Sequence, residues 1–241
     1  MISIIIPTLE EEKAIGTTLR SLKSKLTLPH EIIISDGGST DRTVELARPF
    51  SDKLIVHPGP ARQTIAQGRN EGARAATGDL LVFLDADCTI PDPDRFFGSA
   101  IAQFEADQEL AGLTSHIRFT PGTETLADKL VLGFENLVVR LNNNVLGKGD
   151  SAGGEFQMIR ASAFHATGGY RGDLVTCEDR EIFRRLAKIG RTRFDSHLTV
   201  FHSGRRVHTL GWTRLILLFL LNTLSLQIRD RVLSKEWEPV R

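Results

Sequence analysis

Cysteine is nearly absent from this 241-residue chain: Cys88 and Cys177 lack the paired spacing that a disulfide framework or a zinc site requires. Net charge is absent too. Thirty basic and thirty acidic side chains cancel, so no global field attracts DNA or RNA, nucleic acid is not an expected partner, and phosphate recognition has to be local. Met1 leads straight into Ile2-Ser3-Ile4-Ile5-Ile6-Pro7 with neither a basic n-region nor a long apolar h-region, so no signal peptide is expected. Long apolar runs are missing as well. The most apolar stretch, residues 215–221, is too short to span a bilayer and gives way to Asn222, Thr223, Ser225 and Gln227. These absences point to a cytoplasmic protein. A peripheral position on the inner membrane face is the alternative that Arg214, Arg229 and Arg231 keep open.

What the chain does have is alternation. Short β-branched or aliphatic runs at residues 2–6, 32–35, 54–56 and 80–84 read as strands, and helix-like periods separate them, which is the pattern of an α/β protein with a mostly parallel sheet. Ile15, Leu19, Leu22 and Leu26 form one apolar helical stripe, and a further helix covers residues 66–76, with Gly78 as its left-handed stop. Ser39, Thr40 and Asp41 offer oxygens to cap a helix starting near Arg42. Later, Phe96, Phe97, Ile101 and Phe104 mark a helix, residues 113–119 a strand, and Leu126, Leu130, Phe134, Leu137, Leu141 and Val145 a long amphipathic helix expected to face the core. Residues 156–159 and 198–201 are the remaining strand candidates.

The apolar strand 80–84 ends in Asp85-Ala86-Asp87. In parallel sheets ligands bind beyond the carboxyl ends of strands, and two carboxylates this close favour a hard divalent cation shared with a substrate diphosphate. Taken alone, the pair also fits an acidic turn. Three earlier segments add to it: Ser3-Ile4-Ile5-Ile6-Pro7-Thr8-Leu9-Glu10-Glu11-Glu12, Glu31-Ile32-Ile33-Ile34-Ser35-Asp36-Gly37-Gly38-Ser39-Thr40-Asp41, and Gly68-Arg69-Asn70-Glu71-Gly72-Ala73.

In this order the four segments resemble the nucleotide-binding half of family 2 glycosyltransferases. The resemblance implies an α/β GT-A fold, with a Rossmann-like, mostly parallel sheet flanked by helices and a C-terminal helical tail. It implies a catalytic domain over residues 1–206, divided into a nucleotide-sugar half (1–90) and an acceptor half (91–206), with the tail at 207–241. The implied reaction is inverting, metal-dependent transfer from a nucleoside-diphosphate sugar to a hydroxyl acceptor, with Mn²⁺ or Mg²⁺ as cofactor. Pro7, Thr8, Glu11, Asp36, Arg69, Asp85, Arg205 and Arg206 fall to the donor, and Asp85, Asp87 and His202 to the metal. Glu10, where many relatives have asparagine, and Gly37, where a second aspartate is common, leave the nucleotide base open.

Cys177-Glu178-Asp179 precedes an apolar helical stripe ending at Gly190. By position alone Asp179 is a helix cap. The resemblance makes it the general base of a Glu178-Asp179 pair that follows the turn Gly168-Gly169-Tyr170. A glycine-rich segment, residues 147–154, is a flexible connection or a loop bordering the acceptor, and Gly153 and Gly154 are the acceptor-side candidates. Retaining transfer, nucleotidyl transfer and a non-catalytic nucleotide-sugar-binding module are the alternatives. The apolar tail is expected to pack on the domain or on a second subunit, with membrane-surface contact as runner-up.

Overall fold

The computed structural model describes residues 1–59, 62–151 and 153–236. Eight strands form one sheet: β1 (Ile2–Thr8), β2 (His30–Asp36), β3 (Lys53–Val56), β4 (Leu80–Leu84), β5 (Cys88–Thr89), β6 (Leu110–Phe119), β7 (Phe156–Arg160) and β8 (Arg191–His202), in the order β3-β2-β1-β4-β7-β6-β8-β5. Strands β3, β2, β1 and β4 run parallel, β7 lies antiparallel between β4 and β6, and β8 returns parallel to β6. The helices are α1 (Ile15–Lys25), α2 (Thr43–Ala47), α3 (Ile65–Ala75), α4 (Pro93–Ala106), α5 (Leu126–Asn144), α6 (Ala161–Ala166), α7 (Glu178–Leu186), α8 (Arg205–Leu210) and α9 (Trp212–Arg229).

Side chains of a strand alternate between faces, and here both faces are covered. Ile2, Ile4 and Ile6 pack with Ile15, Leu19 and Leu22 of α1 and Phe96 and Phe97 of α4. Ile5, Ile33, Leu81 and Phe83 pack on the opposite side with Ala66 and Ala73 of α3, Phe164 of α6 and Phe183 of α7. Two-sided burial is why β1, β2 and β4 read as uninterrupted apolar runs rather than alternating ones.

Gly78 does not stop α3 in a left-handed conformation. Helix α3 ends at Ala75, and its C-cap Ala76 has extended backbone, φ −72° and ψ 145°. The glycine serves close approach instead: a Cβ there would stand 2.7 Å from Ser3 Oγ and 2.8 Å from Met1 O. Asp41 does serve the start of α2, accepting from Thr43 N at 2.9 Å. Ser39 and Thr40 bind the preceding loops, through Asp36 and Glu10.

Helix α5 reverses the expected orientation. Leu126, Leu130, Phe134, Leu137 and Leu141 are exposed, whereas Asp128, Leu132, Asn136, Val139 and Asn143 face inward. The reason is hydrogen bonding. The Asn136 amide accepts from Ile117 N (3.1 Å) and donates to Ile117 O (3.0 Å), and Asn143 Nδ2 donates to Asp150 O (2.8 Å). Helix α9 is inverted in the same sense: Asn222 and Ser225 are buried with Leu215 and Leu226, while Ile216, Leu217, Leu220, Leu221, Leu224 and Ile228 are exposed. The expected packing of the whole apolar tail on the domain is therefore confined to a few residues.

Glu31 braces the start of the sheet, with Lys53 Nζ 2.8 Å from its Oε2 and Ser3 Oγ and Thr77 N each 2.6 Å from its Oε1. Burial would raise this carboxyl, but the bonds from Lys53, Ser3 and Thr77 outweigh it and hold the pKa at about 2, down from 4.5. A depressed carboxylate stabilises the fold above its unfolded pKa and loses that contribution as pH falls towards its folded one. Chemical denaturation across this window should therefore find wild type more stable than Glu31→Gln at pH 6, with the gap closing as pH approaches 2. A gap independent of pH would contradict the assignment.

Candidate functional site

Strands β1, β2 and β4 deliver their carboxyl ends to one place. Above them lies a pocket of about 640 Å³ lined by Pro7, Thr8, Glu11, Asp85 and Asp87 from the strand ends, and on its other walls by Gly153, Gly154, Glu178, Asp179, His202, Arg205 and Arg206. Asp36 is the exception among the candidates. It is fully buried and turned into its own loop, accepting from Thr8 Oγ1 (2.9 Å), Gly38 N (3.0 Å), Ser39 N (2.7 Å) and Ser39 Oγ (2.6 Å), and it does not line the pocket. Its carboxylate fixes the β1 and β2 loops.

Arg69 occupies the centre of the site. This fifth residue of α3 is wholly inside the protein, and its guanidinium meets Asp85 Oδ1 at 3.0 Å, Glu178 Oε1 at 2.8 Å and Gly154 O at 3.1 Å. Burial opposes its charge, yet the surrounding carboxylates raise its pKa further. Its Nη1 and Nη2 are committed to protein groups, so it organises the pocket wall that it lines.

Asp179 sits in the first turn of α7, where Cys177 at the N-cap adopts left-handed backbone, φ 64°, and makes no side-chain cap. The Asp179 carboxylate accepts from Arg180 N at 2.8 Å, so it supports the first turn while facing the pocket. Burial pushes its pKa up, against the pull of Arg180 and Arg69. Burial and Asp179 likewise raise Glu178, opposed by Arg69. The turn is held from behind: Gln157 Nε2 donates to Asp179 O at 3.1 Å, and the Tyr170 hydroxyl donates to Gln157 Oε1.

Elsewhere in the pocket lining, β5 pairs Cys88 with His202 at the end of β8, which brings His202 beside Asp87. Asp87 Oδ2 accepts from Ser203 Oγ and lies 3.5 Å from Arg205 Nε, while Arg205 Nη2 is 2.7 Å from Glu11 Oε1. With Asp85 turned to Arg69 and Asp87 to Ser203 and Arg205, no three histidine, cysteine or acidic side chains among the described residues converge as a ready metal centre. The donor chemistry fits a cation nevertheless. His202 Nε2 is buried without a hydrogen-bond partner, and burial lowers its pKa against the pull of Asp87 and Asp85, leaving a neutral imidazole suited to ligation.

A family description, "Glycosyl transferase family 2", matches residues 3–167. The chain belongs to glycosyl transferase family 2. Succinoglycan biosynthesis protein ExoA of Rhizobium meliloti (strain 1021) is 31% identical over 205 residues, which are 78% of this chain and 58% of ExoA. A PGL/p-HBAD biosynthesis glycosyltransferase of Mycobacterium tuberculosis (strain ATCC 25177 / H37Ra) is 33% identical over 117 residues, 47% of this chain and 44% of its own. This family 2 chain thus spans under two thirds of the length of either relative. Among solved structures, mannosyltransferase PcManGT from Pyrobaculum calidifontis in complex with GDP-Man and Mn²⁺ matches with a TM-score of 0.73 at 19% identity, over 95% of this chain and 64% of that one. S. aureus TarS 1-349 in complex with UDP-GlcNAc matches with a TM-score of 0.66 at 18% identity, over 97% and 68%. The GT-A fold implied by the motifs is the fold observed.

Glu155 is the residue that sequence reasoning missed. It lines the pocket between Gly154 and β7; burial, with Asp85 next, pushes its carboxyl well up, and its Oε2 has no hydrogen-bond partner. Its only signal was an acid between a glycine pair and an apolar strand. Of the glycine-rich segment, Gly153 and Gly154 reach the pocket, Gly147 and Gly149 do not, and Ala152 lies outside the described residues.

The two adjacent glycines should respond differently to a methyl group. A Cβ on Gly153 would meet the movable tip of Glu155, with Oε2 at 2.0 Å, whereas one on Gly154 would meet the pinned guanidinium of Arg69, with Nη2 at 1.9 Å. Gly154→Ala should therefore lower the melting temperature by several degrees more than Gly153→Ala, because misplacing a buried ion pair costs about 3–5 kcal/mol. Equal melting temperatures would refute the pinned role of Arg69.

Proposed function

We propose that this chain moves a glycosyl group from a nucleoside-diphosphate sugar to a hydroxyl acceptor with inversion, using Asp179 as general base. The observation that carries the reading is that one pocket holds both the Asp85-Ala86-Asp87 strand end and the Asp179 carboxylate. The donor complexes named for PcManGT and TarS, with GDP-Man and UDP-GlcNAc, support a nucleotide sugar as the donor class.

In this reading the acceptor oxygen forms its bond to the anomeric carbon as the bond to the diphosphate breaks. The acceptor proton passes to Asp179, and the nucleoside diphosphate leaves with the electron pair. Burial raises the Asp179 pKa, which makes it a better base than a solvated carboxylate, and the hydroxyl acidifies as its new bond forms. Leaving-group charge calls for preorganised cations. Arg205, already bridging Glu11 and Asp87, and the neighbouring Arg206 are placed for the diphosphate. Asp87 and His202, with Asp85 beside them, would hold Mn²⁺ or Mg²⁺, which when bound supplies Lewis-acid stabilisation of that leaving group. Glu178 acts through Arg69, as a positioning residue. Gly153 and Gly154 border the acceptor side.

Asp179→Asn preserves shape and removes the base, so transfer should fall about a hundredfold or more while nucleoside-diphosphate affinity stays near wild type. NMR of the product anomer tests inversion directly, and a retained configuration would sink the single-displacement reading. Calorimetry gives a second check. Binding of UDP or GDP should strengthen with Mn²⁺ or Mg²⁺ in wild type and lose that gain in Asp87→Ala and His202→Ala. Metal-independent binding would remove the metal from the proposal.

A further inference from the structure

The exposed large apolar side chains of the described residues are concentrated on α5 and α9, the two helices whose inward faces carry asparagine and serine. On α5, Leu130 is 66% and Phe134 69% exposed; on α9, Leu217 is 55% and Leu220 53%. Contiguous apolar faces of this kind mark interaction surfaces rather than ordinary solvent-facing helices. Neither helix is a candidate membrane span.

Charge decides between occupants. Within α5 the exposed charged residues are Lys129 and Arg140, since Asp128 is buried and Glu135 is half-buried against Arg180. Within α9 they are Arg214 and Arg229, and that helix contains no acid. Asp230, the exposed C-cap of α9, is paired with Arg171, and an apolar face whose helices expose only cations of their own complements an anionic lipid surface. The same face on a second copy would bring like charges together across a two-fold interface.

Both helices also reach the pocket. Leu132 and Glu135 of α5 and Trp212 and Leu215 of α9 are among its lining residues. We propose that the outward faces of α5 and α9 seat this protein on an anionic lipid surface, with the pocket drawing an amphiphilic, lipid-anchored acceptor from that surface. The docking stands on the helices alone; the acceptor class rests on the glycosyl-transfer reading above.

The test uses flotation of the full chain with vesicles of phosphatidylcholine, alone or with about 30 mol % phosphatidylglycerol. Wild type should float with the anionic vesicles and much less with the neutral ones. Replacing Leu130, Leu137, Leu217, Leu220 and Leu224 with Gln should reduce binding about tenfold or more, at unchanged UDP or GDP affinity by calorimetry. Arg140→Glu with Arg229→Glu leaves the apolar faces intact and should abolish the preference for anionic vesicles, which keeps the question decidable if the leucine variants fold poorly. A folded wild type that does not float overturns the proposal. So does a dimer in sedimentation that the leucine substitutions dissociate, since the occupant would then be a second copy. Flotation together with transfer to a water-soluble hydroxyl acceptor and none to an amphiphilic one would leave the docking standing and remove the acceptor class.

Discussion

One buried guanidinium ties the two halves of the site together. Arg69 leaves α3, meets Asp85 beyond β4, Glu178 at the start of α7 and the Gly154 carbonyl before β7, and is wholly excluded from solvent. Desolvating an ion costs several kcal/mol, so such a residue persists only where its partners are fixed in place. The dependence runs both ways. The carboxylates need the cation, and the cation needs β4, β7 and α7 to hold the distances they have.

Around that centre the site is crowded with acids. Glu155, Glu178 and Asp179 are all pushed up by burial, and each also feels neighbouring negative charge. Arg180 offsets some of this by pairing with Glu135 at 2.6 Å and lying 3.6 Å from Asp150. Arg205 offsets more at Asp87 and Glu11. A pocket arranged in this way favours a ligand that brings cations to one wall and a proton donor to another. Those are the demands of the proposed donor with its metal and of the proposed hydroxyl acceptor.

The sequence made the parallel half legible because β1, β2 and β4 are buried on both faces, so burial and periodicity say the same thing. Residues 198–201 revealed a third of β8, while its first half, with exposed Arg191 and half-buried Arg193, carries no apolar run. Asp36, Arg69 and Glu155 were less legible for another reason. A charged residue at a strand end, on a helix or after a glycine pair looks the same in sequence whether it meets a ligand or another part of the chain. Asp36 meets its own loop, Arg69 meets two carboxylates, and Glu155 has Oε1 3.8 Å from His202 Nε2 with Oε2 left without a hydrogen-bond partner.

Helix α5 shows where periodicity stops. The spacing of Leu126, Leu130, Phe134, Leu137 and Leu141 establishes a helix with one apolar face, but not which way that face points. The sheet supplies the direction. Strand β6 outruns its pairing with β7 after Thr114, and its register with β8 shifts between Ser115 and His116. Backbone groups on either side of that shift find side-chain partners in α5: Asn136 bonds both N and O of Ile117, and Asn144 both N and O of Phe194. Unpaired backbone groups in the interior are costly, so amides are required on the inner face of α5. Once they are there, Leu126, Leu130, Phe134, Leu137 and Leu141, which share the other face, point outward. The exposed surface of α5 is in this sense a consequence of how the sheet is finished, and α9, with Asn222 bonding Leu233 N and Ser234 N of the chain behind it, follows the same rule.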